Sequence, residues 1–103
     1  MGKIMTIDVV NFEDKVQLNV HGKVDANSTD QFQSEILKSF QKSKTVIVDF
    51  ADVSYISSAG LRALLIGQKT ASSKGGKFVI INADETVKDV LRVTGLEKVM
   101  NVQ

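Results

Sequence analysis

A chain of 103 residues has room for one domain spanning residues 1–103, and at this size roughly 65% of the unfolded surface can be buried. Apolar residues make up 43% and charged residues 24%, the balance of a globular protein rather than a disordered one. Thirteen basic residues against twelve acidic ones leave no broad field to attract nucleic acid or an anionic membrane surface. The lack of cysteine excludes disulfides, thiolate metal sites and cysteine nucleophiles, and fits a reducing compartment.

The single histidine, His21, would have to build any zinc site with carboxylates alone, far from the usual ligand sets. The first residues lack the apolar core of a signal peptide, and no apolar run approaches the ~20 residues of a membrane span, so a cytoplasmic protein is expected. Met1-Gly2-Lys3 is a weak match to a myristoylation signal, with Thr6 in a strand-like run at the sixth position.

Met5, Ile7 and Val9 alternate with Thr6, Asp8 and Val10, and alternation resumes at Val16, Leu18 and Val20, predicting a half-buried hairpin. The segment Gly22–Asn27 then breaks the pattern. Ser28 stands three residues before Gln31, as in a capping box opening a helix. Phe32, Ile36, Leu37 and Phe40 form one face of that helix.

Thr45–Phe50 is a short apolar, β-branched run, predicting a central strand covered on both faces. After Ser57-Ser58 a second helix places Leu61, Leu64, Leu65 and Gln68 together and ends at Lys74-Gly75-Gly76. Lys77–Ile81 repeats the buried-strand pattern. Asp84-Glu85-Thr86 opens a third helix that turns Val87, Val90 and Leu91 inward and stops at Gly95. A brief edge strand is expected within Leu96–Val102.

The order β-β-α-β-α-β-α-(β) predicts an α/β fold: a mixed, mostly parallel sheet of four to five strands, an N-terminal β-hairpin and three or more helices. Sites in open sheets of this kind gather beyond the carboxyl ends of the strands. Two loops should meet there, Gly22–Asn27 and Asp52–Ser58, bringing Asp25, Asn27, Ser57 and Ser58 onto one surface.

Ser57 and Ser58 fall at a helix N-terminus, where unpaired N–H groups and the helix dipole favour a phosphate. The plain alternative is that one of them is the N-cap, a role worth about 1 kcal/mol over alanine; the sequence leaves open which one caps and which faces solvent. Asp25 is equally readable as a turn aspartate bonding local backbone. A serine hydrolase is disfavoured, because Ile56-Ser57-Ser58-Ala59-Gly60 departs from Gly-x-Ser-x-Gly and the only base, His21, sits inside a strand. No Walker or Gly-x-Gly-x-x-Gly turn is present, so nothing in the sequence requires a nucleotide.

Four stretches together resemble the STAS-domain anti-anti-sigma factors, the stand-alone antagonists of bacterial partner switching. They are Gly22-Lys23-Val24-Asp25, Val46–Phe50, Val53–Arg62 and Thr94-Gly95-Leu96, and the likeness spans nearly the whole chain. It implies a non-enzymatic regulator without cofactor, a monomer when free. Its unphosphorylated form would bind an anti-sigma factor serine kinase of histidine-kinase-like ATP-binding fold and free a sigma factor or other output protein.

The family's phosphorylated serine maps onto Ser58, with Ser57, where the family often has Asp, as an alternative acceptor. A PP2C-type phosphatase would restore the free form. Partner contacts are expected from Asp25, Ala26, Asn27, Ser57, Ser58, Gly60, Leu61 and Arg62, with Arg62 helping to compensate the phosphate. The alternatives are a constitutive STAS scaffold subunit of a transport or signalling complex, in which the serine is only a helix cap, and a weak nucleotide-sensing domain.

Overall fold

The computed structural model describes residues 4–103; the Met1-Gly2-Lys3 myristoylation match lies outside the described residues. The elements are β1 (Thr6–Asn11), β2 (Val16–Val24), α1 (Thr29–Lys42), β3 (Thr45–Ile56), α2 (Ser58–Lys74), β4 (Lys77–Ile81), α3 (Glu85–Val93), a 3-10 turn (Leu96–Lys98) and β5 (Asn101–Val102). The five strands lie in the order β1-β2-β3-β4-β5. Only β1–β2 is antiparallel; every later pair is parallel. The expected mixed, mostly parallel sheet with an N-terminal hairpin is therefore the fold.

Right-handed crossovers between sequential parallel strands place α1 and α2 side by side on the sheet, and the two helices touch. Beneath them the core is built from alternate strand residues: Val16, Leu18 and Val20, then Val46, Val48 and Phe50, then Phe78 and Ile80. The ring pairs Phe32–Phe50 and Phe40–Phe78, each with centroids 5.9 Å apart, join helix α1 to the sheet. Such tilted aromatic contacts add to the burial of the rings themselves.

The structure corrects several expectations. Strand β3 runs to Ile56, well beyond Phe50, and only one of its faces is fully buried; Thr45, Ile47 and Asp49 on the other are half-exposed. Strand β1 is the sheet edge, so Met5 is buried but Val9 is 38% exposed. Leu37 of α1 is half-buried, and the small Ser39 takes a fully buried place, its hydroxyl donating to the Glu35 carbonyl.

Of the expected face of helix α2 only Leu64 is fully buried, and the rest of its inward stripe is Gly60, Ala63, Gly67 and Ala71. Small residues bring this helix close to the sheet: a Cβ at Gly67 would lie 2.8 Å from Phe78 Cζ. Leu61, Leu65 and Gln68 are left half-buried at its margins. The α2 terminus is as expected, with Gly75 left-handed (φ 68°) and the Gly76 N–H donating to Ala71 O at 2.8 Å.

Asp84 caps α3 by accepting from the Val87 N–H at 2.9 Å, and Gly95 follows the helix at φ 80°. Val87 and Leu91 are buried and Val90 partly so. The segment after it begins as a 3-10 turn before its two-residue edge strand. Among the described residues no helix is long and apolar enough to cross a membrane.

Candidate functional site

The two stretches expected to meet beyond the strand ends do meet, their first parts, Gly22–Val24 and 52–56, as paired strand rather than loop. The β2–β3 ladder continues through His21↔Asp52, Gly22↔Val53, Lys23↔Tyr55 and Val24↔Ile56, with irregularities between Asn19 and His21 and between Gly22 and Lys23. Gly22, at φ 103°, holds the irregular backbone that a side chain would strain. It looks like a strand break in sequence and acts as a bend inside one.

One bond closes the ladder: the Ser57 N–H donates to the Val24 carbonyl at 2.8 Å. Ser57 is extended (φ −86°, ψ 172°) and is the N-cap of α2. Its Oγ accepts from the Gly60 N–H at 3.1 Å, and its carbonyl accepts from the Leu61 N–H at 2.9 Å. Ser57 is thereby half-buried and engaged on every side.

Ser58 is the first residue of α2 and is exposed. Its hydroxyl makes no hydrogen bond among the described residues. The choice between the two serines that the sequence leaves open is thus resolved in geometry: Ser57 caps, Ser58 faces solvent. No acidic residue occupies the first turn of α2, so the positive end of the helix dipole is uncompensated beside that hydroxyl.

Gly60 is packed against Ile56 and Val24, where an added Cβ would come within 2.7 and 2.8 Å of their side chains. Leu61 is half-buried against the core, and Arg62 is exposed one turn beyond Ser58 with no ion pair among the described residues.

The capping box expected at Ser28 and Gln31 does not form. Ser28 has helical backbone angles and no side-chain cap bond; its Oγ instead accepts from the Asp25 N–H at 3.0 Å and donates to the Lys23 carbonyl at 2.9 Å. The cap is one turn earlier. Asp25 Oδ1 accepts from the N–H groups of Asn27 (3.0 Å) and Ser28 (3.2 Å), and its carbonyl accepts from the Ser28 and Thr29 N–H groups. Asp25 therefore has the local backbone role the sequence allowed. It is half-buried, and Ala26 and Asn27 are exposed on the turn it organises.

Two features of this surface escape a sequence reading. Tyr55 is 49% exposed and stands opposite Lys23 in the ladder, two residues before the cap. An open groove of about 320 Å³ runs past Lys23, Asp25, Asn27 and Ser28 to Ile4 and Gln31. Tyr55 falls in the segment read from sequence as the Asp52–Ser58 loop, and its place on the ladder depends on how far β2 and β3 pair. No group of His, Cys, Asp and Glu among the described residues could hold a metal ion.

His21 lies in β2, which is interior to the sheet and not an edge. Its Nε2 is 3.0 Å from Asp8 Oδ2 in β1 and its Nδ1 2.9 Å from Asp52 Oδ2 in β3. The Asp52 hydrogen bond foremost, and then that of Asp8, raise the imidazole above its ordinary value of 6.5. A base held this way between two carboxylates has no serine hydroxyl to activate.

A family model described as the STAS domain matches residues 6–103. The chain belongs to the STAS domain family. Comparison with known proteins places this STAS domain beside regulators. It is 24% identical to the anti-sigma-B factor antagonist of Bacillus subtilis (strain 168) over 98 residues, 95% of this chain and 90% of that one. In structure it is similar to an anti-sigma factor antagonist from Mycobacterium paratuberculosis (TM-score 0.84, 18% identity, 96% and 85% of the two chains). It is also similar to the anti-sigma factor antagonist SpoIIAA in its unphosphorylated form (TM-score 0.81, 20% identity, 95% and 88%). The phosphorylated form of SpoIIAA, a Bacillus cell fate determinant, superimposes with a TM-score of 0.74 at 21% identity over 95% of this chain and 91% of that one. These likenesses establish a shared STAS fold.

Proposed function

We propose that this STAS domain is a non-enzymatic partner-switching regulator, an anti-sigma factor antagonist controlled by phosphorylation of Ser58. Unphosphorylated, it binds an anti-sigma factor serine kinase and frees a sigma factor or another output protein. Phosphate on Ser58 releases the kinase, and a PP2C-type phosphatase restores the binding form. The observation that carries this reading is the division of labour between the serines: Ser57 does the capping, and Ser58 is exposed with its hydroxyl unbonded.

A phosphoserine adds about −1.5 to −2 charge and three acceptor oxygens. At the first residue of α2 that charge meets the positive end of the helix dipole, no acidic residue in the first turn, and the Arg62 guanidinium one turn on. The fold accommodates it. A partner packed over Ser58, the Asp25–Asn27 turn, Gly60 and Leu61 meets a desolvated double charge beside the Asp25 carboxylate. Losing ~3 kcal/mol of interaction there weakens binding more than a hundredfold.

The test is incubation with the cognate kinase and ATP, followed by phosphosite mapping. Stoichiometric label on Ser58, lost in Ser58→Ala, is expected. Label that persists both in Ser58→Ala and in the Ser57→Ala/Ser58→Ala pair refutes the assignment.

A further inference from the structure

The contacts of His21 have a chemical requirement. A neutral imidazole carries one N–H, and an ionised carboxylate can only accept. With Asp8 Oδ2 at 3.0 Å from one ring nitrogen and Asp52 Oδ2 at 2.9 Å from the other, a neutral ring would aim one lone pair at a carboxylate. Only the imidazolium makes both hydrogen bonds, and each is then charge-assisted. The three residues come from three adjacent strands. His21 faces Asp52 directly in the β2–β3 ladder, immediately after the irregularity that follows Asn19, and faces Thr6 in the β1–β2 ladder, with Asp8 two residues along.

The outer strand that the group holds is an edge of the sheet. β1 is paired with β2 alone, and five of its six residues, all but Ile7, are exposed. Its hold on the core is through Ile7 and the Met5 that precedes it. Local opening of such an edge is governed by few contacts, so one bridging group has a measurable share of its protection.

We propose that His21 is a proton-dependent clamp joining β1, β2 and β3, closed while the imidazolium bridges Asp8 and Asp52 and released when that proton is lost. Other charges face the group: Lys23 and Asp84 line the cavity that also exposes Asp52, and Asp52 has a further interaction besides His21. The direction follows from the raised imidazole value. Stabilisation by the clamp is complete below the unfolded value of about 6.5 and is lost as pH rises through the higher folded value.

His21 is the only histidine, so its ring resonances in an NMR titration of the full chain need no assignment. The wild-type midpoint is expected above 6.5, and lower in Asp8→Asn and Asp52→Asn. Hydrogen exchange of the β1 amides, corrected for intrinsic rates, should lose roughly two- to fivefold protection between pH 6 and pH 9. His21→Gln should start at the lower protection and stay flat. Should Asp52→Asn fail to fold, Asp8→Asn at the exposed edge decides. A wild-type midpoint at or below 6.5, a loss of protection under twofold, or an equal loss in His21→Gln overturns the clamp.

Discussion

Replacing each of the two adjacent serines by alanine separates their roles by stability alone. In Ser57→Ala the Gly60 N–H loses its acceptor at 3.1 Å, and Gly60 is buried between Ile56 and Val24, so water cannot readily take the place of the hydroxyl. N-cap serine to alanine costs 0.5–2 kcal/mol in general, and the buried donor puts this site at about 1–1.5 kcal/mol. With an m-value of about 1.5 kcal/mol per molar urea the midpoint should fall by roughly 0.7–1 M, and Tm by about 4–8 °C or somewhat more. In Ser58→Ala no hydrogen bond among the described residues is lost and a better helix former is gained, so stability should stay within about 0.5 kcal/mol of wild type. Urea denaturation followed by circular dichroism measures both. If Ser58→Ala is destabilised as much as Ser57→Ala, the hydroxyl at 58 has a structural duty and the division of roles fails.

Ser58→Asp should keep the wild-type fold and stability, because its charge sits at a helix N-terminus, while calorimetric affinity for the kinase falls by roughly an order of magnitude or more; unchanged affinity would remove charge as the basis of the switch. Asp25→Asn keeps an acceptor for the Asn27 and Ser28 N–H groups, whereas Asp25→Ala does not. Asp25→Ala should lose about 1 kcal/mol by chemical denaturation and Asp25→Asn a few tenths. If the partner reads the charge, both weaken kinase binding; equal stability of the two variants would contradict the capping role.

The topology was legible because it rests on large apolar residues at regular spacing. Thr45–Phe50 and Lys77–Ile81 read as strands from their short β-branched runs, and Phe32, Ile36 and Phe40 as one face of a helix. What was not legible depends on residues without such a signature. The buried stripe of α2 is Leu64 with glycine and alanine, so counting leucines finds one member of it and otherwise selects its margin. Gly22 reads as a break, yet its positive φ lets β2 continue to Val24. The Ser28–Gln31 spacing is that of a capping box, but Asp25 starts the helical turn earlier and takes Ser28 into its own network. At the candidate site the residue pattern brought the right segments together and left open which serine caps the helix; that distinction needed the Ser57 N–H on the Val24 carbonyl and the Gly60 N–H on the Ser57 hydroxyl. The grouping of Asp8, His21 and Asp52 could not be read at all, since it requires the register of three strands, one pair of them irregular.

Ser57 belongs to two hydrogen-bond ladders at once. Its N–H completes the last rung of β2–β3, and its hydroxyl and carbonyl begin α2. Sheet and helix are thereby locked in phase, and the angular position of Ser58 relative to the Asp25 turn is set by the length of the segment between Val53 and Ser57 rather than by its composition. One inserted residue that shifted the helix start would swing the acceptor hydroxyl by about 100° around the α2 axis, away from the shared surface. Substitutions at Ser54 and Tyr55, both exposed, leave that phase untouched. The segment can therefore diverge toward a new partner while the hydroxyl stays where it is, provided that no residue is gained or lost.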